Sequence, residues 1–283
     1  MTKIQNNNLE QIVNEHYDAL KNKLKDFPTS CKYSLKEVLT AKPKKLEEIA
    51  IWAKDKKDEY QFMIQKYKNF TTKKKEYNAY DLADKLQINV CPYCNLNYTY
   101  TIITKNNKQI IRPEFDHFYD KDTYPILALS FYNLIPSCHI CNSTLKGTKE
   151  FSINDFLHPY LDSFDKVAKF ELKIEDSSFY HNIKGFKIKL NTQNERAKNI
   201  IDIFKLQKRY NLHKDIILEL IQKEVIYNDS YLDELFKNYE GTLFKNREDL
   251  QRLISSGFID ESEINKRPLS KLIKDISSEL ELW

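Results

Sequence analysis

Long apolar runs and glycine are both scarce in this sequence. No stretch approaches the roughly 18 consecutive apolar residues that span a bilayer, and residues 1–8 lack the apolar segment of a signal peptide. We therefore expect a cytoplasmic protein with no membrane partner. Only 4 glycines occur in 283 residues, and the mean hydropathy of -0.63 is typical of a globular chain with solvated helical faces rather than a disordered one.

The formal charge of +4 is too small to establish nucleic-acid binding, but its distribution is uneven. Lysines crowd residues 42–75, where Lys56, Lys57 and the run Lys73–Lys75 are interleaved with aromatic residues such as Trp52. Such a face could neutralise phosphates. Alternatively, the lysines coat the outside of amphipathic helices whose aromatic side chains pack inward. Composition leaves both interpretations open.

Four of the 5 cysteines form two Cys-x-x-Cys pairs, Cys91 with Cys94 and Cys138 with Cys141. In a reducing compartment such pairs indicate a metal site rather than disulfides. Two thiolate pairs supply the four tetrahedral ligands of a structural Zn²⁺. The alternatives are unlinked core cysteines or a redox motif, although a redox motif needs one pair and not two. About 40 residues separate the pairs, so we expect the zinc to clamp an inserted functional unit.

Hydrophobic periodicity divides the chain into three parts. Residues 1–85 carry apolar positions at helical spacing and predict an N-terminal helical arm. Residues 86–160 contain both cysteine pairs and are expected to form the functional core. Residues 161–283 predict a C-terminal module of strands followed by helices. No repeat or low-complexity linker marks the boundaries.

Strands are predicted in two places. The β-rich runs Thr99–Ile103 and Gln109–Ile111 flank a turn rich in Asn and Lys, which indicates a hairpin. Phe170–Ile174 and Phe186–Leu190 alternate with period two and predict a second antiparallel pair. The expected class is therefore α+β and mainly helical.

The segments CPYC, FDHF, YNLIPSC and CHICNSTLKG, which lie between Cys91 and Gly147, resemble the HNH endonucleases. The resemblance implies a central ββα-metal core stapled by the structural zinc. It implies His117 as general base, Asn133 as its positioning residue, and Asp116 with Asn142 as ligands of a catalytic Mg²⁺ or Mn²⁺. Asn142 stands where many members have His, which makes the motif an HNN variant.

The residues themselves suit phosphodiester hydrolysis. His117, with an ordinary pKa near 6.5, can take a proton from water at neutral pH. Asp116 and His117 are adjacent, so on a regular strand they point to opposite sides and need a twisted strand end to share one site. Lys146 lies four residues after Asn142 on the same helical face. It is either a phosphate ligand or an ordinary surface lysine.

The remaining histidines are expected to be less informative. His139 lies inside a Cys-x-x-Cys turn whose four sulfurs already fill a tetrahedron. His158 follows the core, and a structural hydrogen-bonding role is expected for it. His16, His181 and His213 occur in helical or loop patterns without a partner cluster, so we expect surface or capping positions.

The sequence therefore predicts a metal-dependent endonuclease that cuts DNA. The resemblance is closest to HNH proteins of bacterial defence loci, some of which work beside an SMC- or ABC-like ATPase partner. Two alternatives remain. One is a noncatalytic zinc-ribbon interaction module. The other is an HNH nuclease that cleaves RNA or tRNA, since such a core contacts the phosphate and does not read the base. A single centre cuts one strand at a time, so double-strand breaks would need a homo-oligomer or sequential nicks.

Overall fold

The computed structural model describes residues 2–72, 76–258, 260 and 263–281. The run Lys73–Lys75, which could belong to a face that neutralises phosphates, lies outside the described residues. The chain divides into two compact units, one formed by Lys3–Ser163 and the other by the described residues from Phe164 onward. The class is α+β, as predicted, with eleven α-helices and three two-stranded antiparallel sheets in the described ranges. No helix in these ranges combines the length and apolar character needed to cross a membrane.

Helices open the first unit. They are α1 (Leu9–Lys21), α2 (Leu35–Thr40), α3 (Pro43–Ala53), α4 (Phe62–Thr71) and α5 (Ala79–Leu86). Helix α5 begins with a capping box: the Asn78 side chain accepts the backbone N–H of Tyr80, and the Asp81 carboxylate accepts that of Asn78, at 2.8 Å each. It ends where Gln87 adopts a left-handed conformation. These caps fix the direction in which the chain enters the first cysteine turn.

Several lysines of the N-terminal arm have acidic or aromatic partners. Three exposed ion pairs join Lys42 to Glu10, Lys45 to Glu48 and Lys66 to Asp26. The Lys56 amine lies 5.3 Å from the centre of the Trp52 ring. Exposed pairs of this kind contribute little stability. Their partners favour the solvated-face interpretation for these four lysines.

The first predicted hairpin is confirmed. Strand β1 (Ile102–Ile103) pairs antiparallel with β2 (Gln109–Ile111), with Ile102 opposite Ile111. Asn107 takes a positive φ of 58° in the connecting turn, a conformation that Asn tolerates better than most residues. The hairpin leads directly into the next strand.

A strand–strand–helix sequence follows it. Strand β3 (Glu114–His117) pairs antiparallel with β4 (Leu134–Ser137), with His117 opposite Leu134. The next element is a π-helical segment, Ile140–Lys146, here named the site helix. Its wider turn is closed when the Gly147 N–H donates to the Asn142 carbonyl at 2.8 Å. Gly147 has a φ of 55°, which suits a residue without a Cβ.

The second unit contains the other predicted hairpin and the remaining helices. Strands β5 (Ala168–Ile174) and β6 (Phe186–Thr192) pair antiparallel over their full length, as the period-two pattern predicts. The helices are α6 (Glu195–Ile203), α7 (Leu206–Tyr210), α8 (Lys214–Ile226), α9 (Asp229–Tyr239), α10 (Arg247–Ser255) and α11 (Ser270–Glu279). Phe170, Phe186 and Phe204 are buried in its core. The Asp275 carboxylate on α11 accepts the Phe170 N–H of β5 at 2.8 Å and so ties helix to sheet.

Candidate active site and metal centre

The first cysteine turn is a tight backbone loop between two extended segments. Its ends are joined by an antiparallel bridge between Val90 and Tyr98. Inside it the Cys91 N–H donates to the Asn97 carbonyl at 2.9 Å, and the Asn95 N–H donates to the Cys91 carbonyl at 2.8 Å. Asn95 takes a positive φ of 51°. This turn aims the sulfurs of Cys91 and Cys94 in the same direction.

The second cysteine pair lies at the start of the site helix, and all four cysteines converge. Their sulfur atoms lie within 4.8 Å of one another and are buried, with Cys94 and Cys138 Sγ 4.0 Å apart. Zn–S bonds of about 2.3 Å at tetrahedral angles place sulfurs roughly 3.8 Å apart, so the cluster fits such an ion. Burial raises the pKa of the Cys91 thiol well above its usual value. Metal binding would displace that proton.

His117 and Asp116 are neighbours on β3, where successive side chains point to opposite sides, and they have different side-chain partners: Ala128 and Tyr67 for His117, Tyr93 and Lys146 for Asp116. The His117 ring is buried, with 7% of the residue exposed, and it packs against the Tyr67 ring in a T-shaped arrangement with 4.4 Å between the ring centres. His117 Nε2 lies 2.9 Å from the Ala128 carbonyl oxygen. A carbonyl only accepts, so this contact places the proton on Nε2. Burial lowers the pKa of His117 to about 4, although Ala128 and Asp116 act in the opposite direction.

Asn133 holds the loop that begins immediately after His117. Its Oδ1 accepts the backbone N–H of Tyr119 at 2.7 Å, and its Nδ2 donates to the carbonyls of Tyr119 and Leu127 at 3.0 Å each. The Asn133 side chain is fully buried. Asn133 therefore fixes the backbone of Tyr119, two residues after His117 in sequence, and in the described residues it forms no hydrogen bond with the imidazole itself.

Asp116 and Lys146 are brought together in the interior. Lys146 Nζ lies 2.9 Å from Asp116 Oδ1 and donates to the His117 carbonyl at 2.7 Å. The other carboxylate oxygen accepts the Tyr93 hydroxyl at 2.6 Å. Both members of the ion pair are only 2% exposed at the side chain, and the amine also lies 4.9 Å from the Phe151 ring centre. Lys146 is thus a buried counter-ion in this structure.

Asn142 contacts a carboxylate that the sequence reasoning missed. Its Nδ2 donates to Glu114 Oε2 at 2.8 Å, and Ser143 Oγ donates to the same oxygen at 2.9 Å. His139 Nδ1 lies 2.7 Å from Glu114 Oε1. Burial opposes ionisation of Glu114, but these three hydrogen bonds outweigh it and hold the pKa of that carboxyl below its usual value. Period-two spacing before Asp116 is the signal that places Glu114 on the same face of β3.

The two expected metal-ligand side chains are not paired. Among the described residues no hydrogen bond joins Asp116 to Asn142, and both Asp116 oxygens are already engaged by Tyr93 and Lys146. A divalent ion needs open carboxylate and carbonyl oxygens. The donor set as arranged does not fit such an ion.

His16 is buried, so the surface or capping position expected for it is wrong. Its side chain lies on the inner face of α1 and is fully inaccessible. Nε2 lies 2.9 Å from the Leu129 carbonyl oxygen, and Nδ1 lies 3.0 Å from the Tyr77 hydroxyl. Because the neighbouring Ala128 carbonyl is the partner of His117, the two imidazoles bind consecutive peptide groups.

His158 has the structural hydrogen-bonding role expected for it. The residue is fully buried, and its Nδ1 accepts the backbone N–H of Tyr160 at 3.2 Å. Its ring packs against Phe118 with 4.3 Å between centres. His158 thereby supports Phe118, the residue that follows the end of β3 at His117.

The fold and site together define an α+β protein with a buried four-cysteine centre that could hold a metal such as zinc. Over 75 residues the chain is 35% identical to the Septu protein PtuB of Bacillus thuringiensis. The matched segment covers 26% of this chain and 26% of PtuB. The match therefore spans about a quarter of the length of this curated relative. No family model matches the chain. No solved structure matches it significantly.

Proposed function

We propose that this protein is an HNH-type endonuclease that hydrolyses phosphodiester bonds of DNA, with His117 as the general base. The observation that carries the proposal is the 2.9 Å contact between His117 Nε2 and the Ala128 carbonyl oxygen. It fixes the tautomer in which Nδ1 keeps its lone pair. The order of β3, β4 and the site helix beside the cysteine cluster supports the same assignment.

His117 is suited to accept a proton from an attacking water. Burial lowers its pKa to about 4, which keeps the imidazole neutral with a free Nδ1 lone pair at physiological pH but makes it a weaker base than an exposed histidine. Attack by that water on phosphorus would break the bond to the 3′ oxygen and leave 5′-phosphate and 3′-hydroxyl ends. Asn133 keeps the loop after His117 in place through Tyr119 and Leu127.

Dependence on Mg²⁺ or Mn²⁺, with Asp116 and Asn142 as ligands, is a prediction from the motif alone, and it requires Asp116 to exchange its contact with Lys146 for the ion. In this structure Lys146 supplies the positive charge next to Asp116. The phosphate contact expected of Lys146 stays a prediction.

A defence role is the biological part of the proposal. The motif resembles those of HNH proteins from bacterial defence loci. The partial likeness to the Septu protein PtuB also supports a role in defence. An SMC- or ABC-like ATPase partner is the corresponding prediction. A coding locus with no ATPase or defence gene beside it would weaken this part sharply.

The experiment incubates the zinc-loaded protein and Mg²⁺ or Mn²⁺ with supercoiled plasmid, single-stranded DNA and RNA in parallel. Metal-dependent nicking of the plasmid supports the DNA endonuclease. Cleavage confined to RNA would replace DNA by RNA as substrate. No cleavage of any substrate, with or without the ATPase partner, would contradict nuclease function.

A noncatalytic zinc-ribbon interaction module is the second candidate. It is favoured by one specific observation: both oxygens of Asp116 are engaged in the interior, as in a purely structural ion pair. This candidate predicts that folding requires zinc and that Mg²⁺ changes nothing. The cleavage experiment separates the two candidates directly.

A further inference from the structure

The β1–β2 hairpin and residues 98–101, which lead into β1, expose a row of large apolar side chains, here named the hairpin face. Tyr98, Tyr100 and Ile102 recur at every second position and are 54%, 45% and 41% exposed, so they share one face. Ile111, which is 47% exposed, lies opposite Ile102 on the neighbouring strand. Contiguous apolar surface of this kind marks interaction sites.

The two tyrosine rings are arranged as neighbouring flat surfaces. Their centres are 5.4 Å apart and their planes are inclined by 45°. Within the described residues neither hydroxyl has a hydrogen-bond partner. With 54% and 45% of these residues exposed, part of each ring is accessible to a ligand.

The charge of the hairpin has one sign. Residues 95–113 include no Asp or Glu but contain Lys105, Lys108 and Arg112. Lys105 and Lys108 are exposed at the hairpin tip, and in the described part of the chain neither forms an ion pair. The Arg112 guanidinium instead lies over the Tyr80 ring at 5.4 Å. Two lysines are thus available to an anionic partner.

Exposed aromatic rings together with cations that have no ion-pair partner are the features by which proteins hold unpaired nucleic-acid strands. Bases of a duplex are stacked on each other and cannot stack on a side chain without being unpaired. We propose that the hairpin face binds an unpaired nucleic-acid strand, with bases on Tyr98 and Tyr100 and phosphates on Lys105 and Lys108. Strand β2 ends three residues before β3 begins, so the hairpin directly precedes in sequence the strand that carries His117. The inference rests on the proposed nuclease function and specifies the form of its substrate.

Fluorescence anisotropy with a labelled 20-nucleotide single-stranded DNA tests this surface. All proteins carry His117→Ala and a full complement of zinc, so that binding is measured without cleavage. The combined change Tyr98→Ala with Tyr100→Ala should weaken binding by about 10-fold or more, whereas Tyr98→Phe with Tyr100→Phe should stay within about 2-fold because the ring face is kept. Changing both lysines to Gln should reduce the slope of log affinity against log salt by about 1.4.

Tyr180→Ala is the matched control, because Tyr180 is 48% exposed in the other unit. It should bind like the parent. Equal affinity of the parent and the double-alanine variant would overturn the inference. So would equal affinity of the parent for duplex and single strand, or a tyrosine requirement seen only with a protein partner. All proteins in this binding experiment carry His117→Ala, so their affinities do not depend on whether His117 is the general base. The nuclease activity itself is tested separately, by plasmid nicking with the protein that keeps His117.

Discussion

His16 and His117 bind consecutive carbonyl groups, those of Leu129 and Ala128, each at 2.9 Å. Asn133 binds the preceding carbonyl, that of Leu127, at 3.0 Å. Three buried side chains from distant parts of the first unit therefore hold one short segment. This segment orients the imidazole of His117 because its carbonyls are fixed from several sides.

Protonation of these histidines should make the protein acid-sensitive. Burial lowers the pKa of both His16 and His117 to about 4, against about 6.5 in the unfolded chain. The unfolded state therefore binds more protons below pH 6.5, so stability is complete above that pH and falls as the pH drops toward 4. Each histidine should lower the free energy of unfolding by about 2 kcal/mol between pH 7 and pH 5.

Urea unfolding of the parent and of His16→Gln at both pH values measures this loss of stability. A pH dependence unchanged in the variant would contradict it.

Lys146→Met should be strongly destabilising. It leaves the Asp116 carboxylate buried with only the Tyr93 hydroxyl as partner, and breaking one side of a buried pair costs about 3–5 kcal/mol. Adding Asp116→Asn to Lys146→Met should recover most of that loss. Denaturant unfolding provides the measurement, with Lys21→Met as control because the Lys21–Asp18 pair is exposed and should contribute little to stability. Comparable small losses at both lysines would contradict the buried-pair account.

Asn133→Ala should loosen the loop after His117. The change removes three buried hydrogen bonds and should cost about 3 kcal/mol. Zinc content should be unchanged, since none of these bonds involves a cysteine. Thermal unfolding and metal analysis check both points, and Asn106→Ala at the exposed hairpin tip serves as the neutral control. A variant as stable as the parent would show that the loop is held by other contacts.

Removal of zinc should unfold the first unit. Binding of structural zinc provides about 10–16 kcal/mol of folding free energy, which is as large as the whole stability of a typical domain. Metal analysis should find one zinc per chain. Cys91→Ser should lose it, whereas Cys31→Ser, outside the cluster, should keep it. A metal-free protein with unchanged circular dichroism and unfolding temperature would rule out the structural role.

Patterns that depend on near neighbours in sequence were predictable. The spacing of Cys91 and Cys94 and of Cys138 and Cys141 sufficed to predict a four-cysteine cluster, because each turn is local. Period-two alternation likewise located both predicted hairpins.

Contacts between distant segments were not predictable. His16 meets a carbonyl 113 positions away, so its burial follows from how α1 packs and from no local pattern. The contact of Asn142 with Glu114 spans 28 positions and depends on where the site helix lies against β3. The partner of Lys146 was missed for the same reason: helical spacing gives the face of a residue but not what that face packs against.

Nicking of supercoiled plasmid by the zinc-loaded protein and by His117→Ala, each with Mg²⁺ or Mn²⁺, tests the role of His117 most directly. Loss of a general base predicts a rate lower by about 10²–10⁴-fold in a variant that retains its zinc and its fold. Cutting by folded, zinc-loaded His117→Ala at the parent rate would contradict the assignment of His117 as the base.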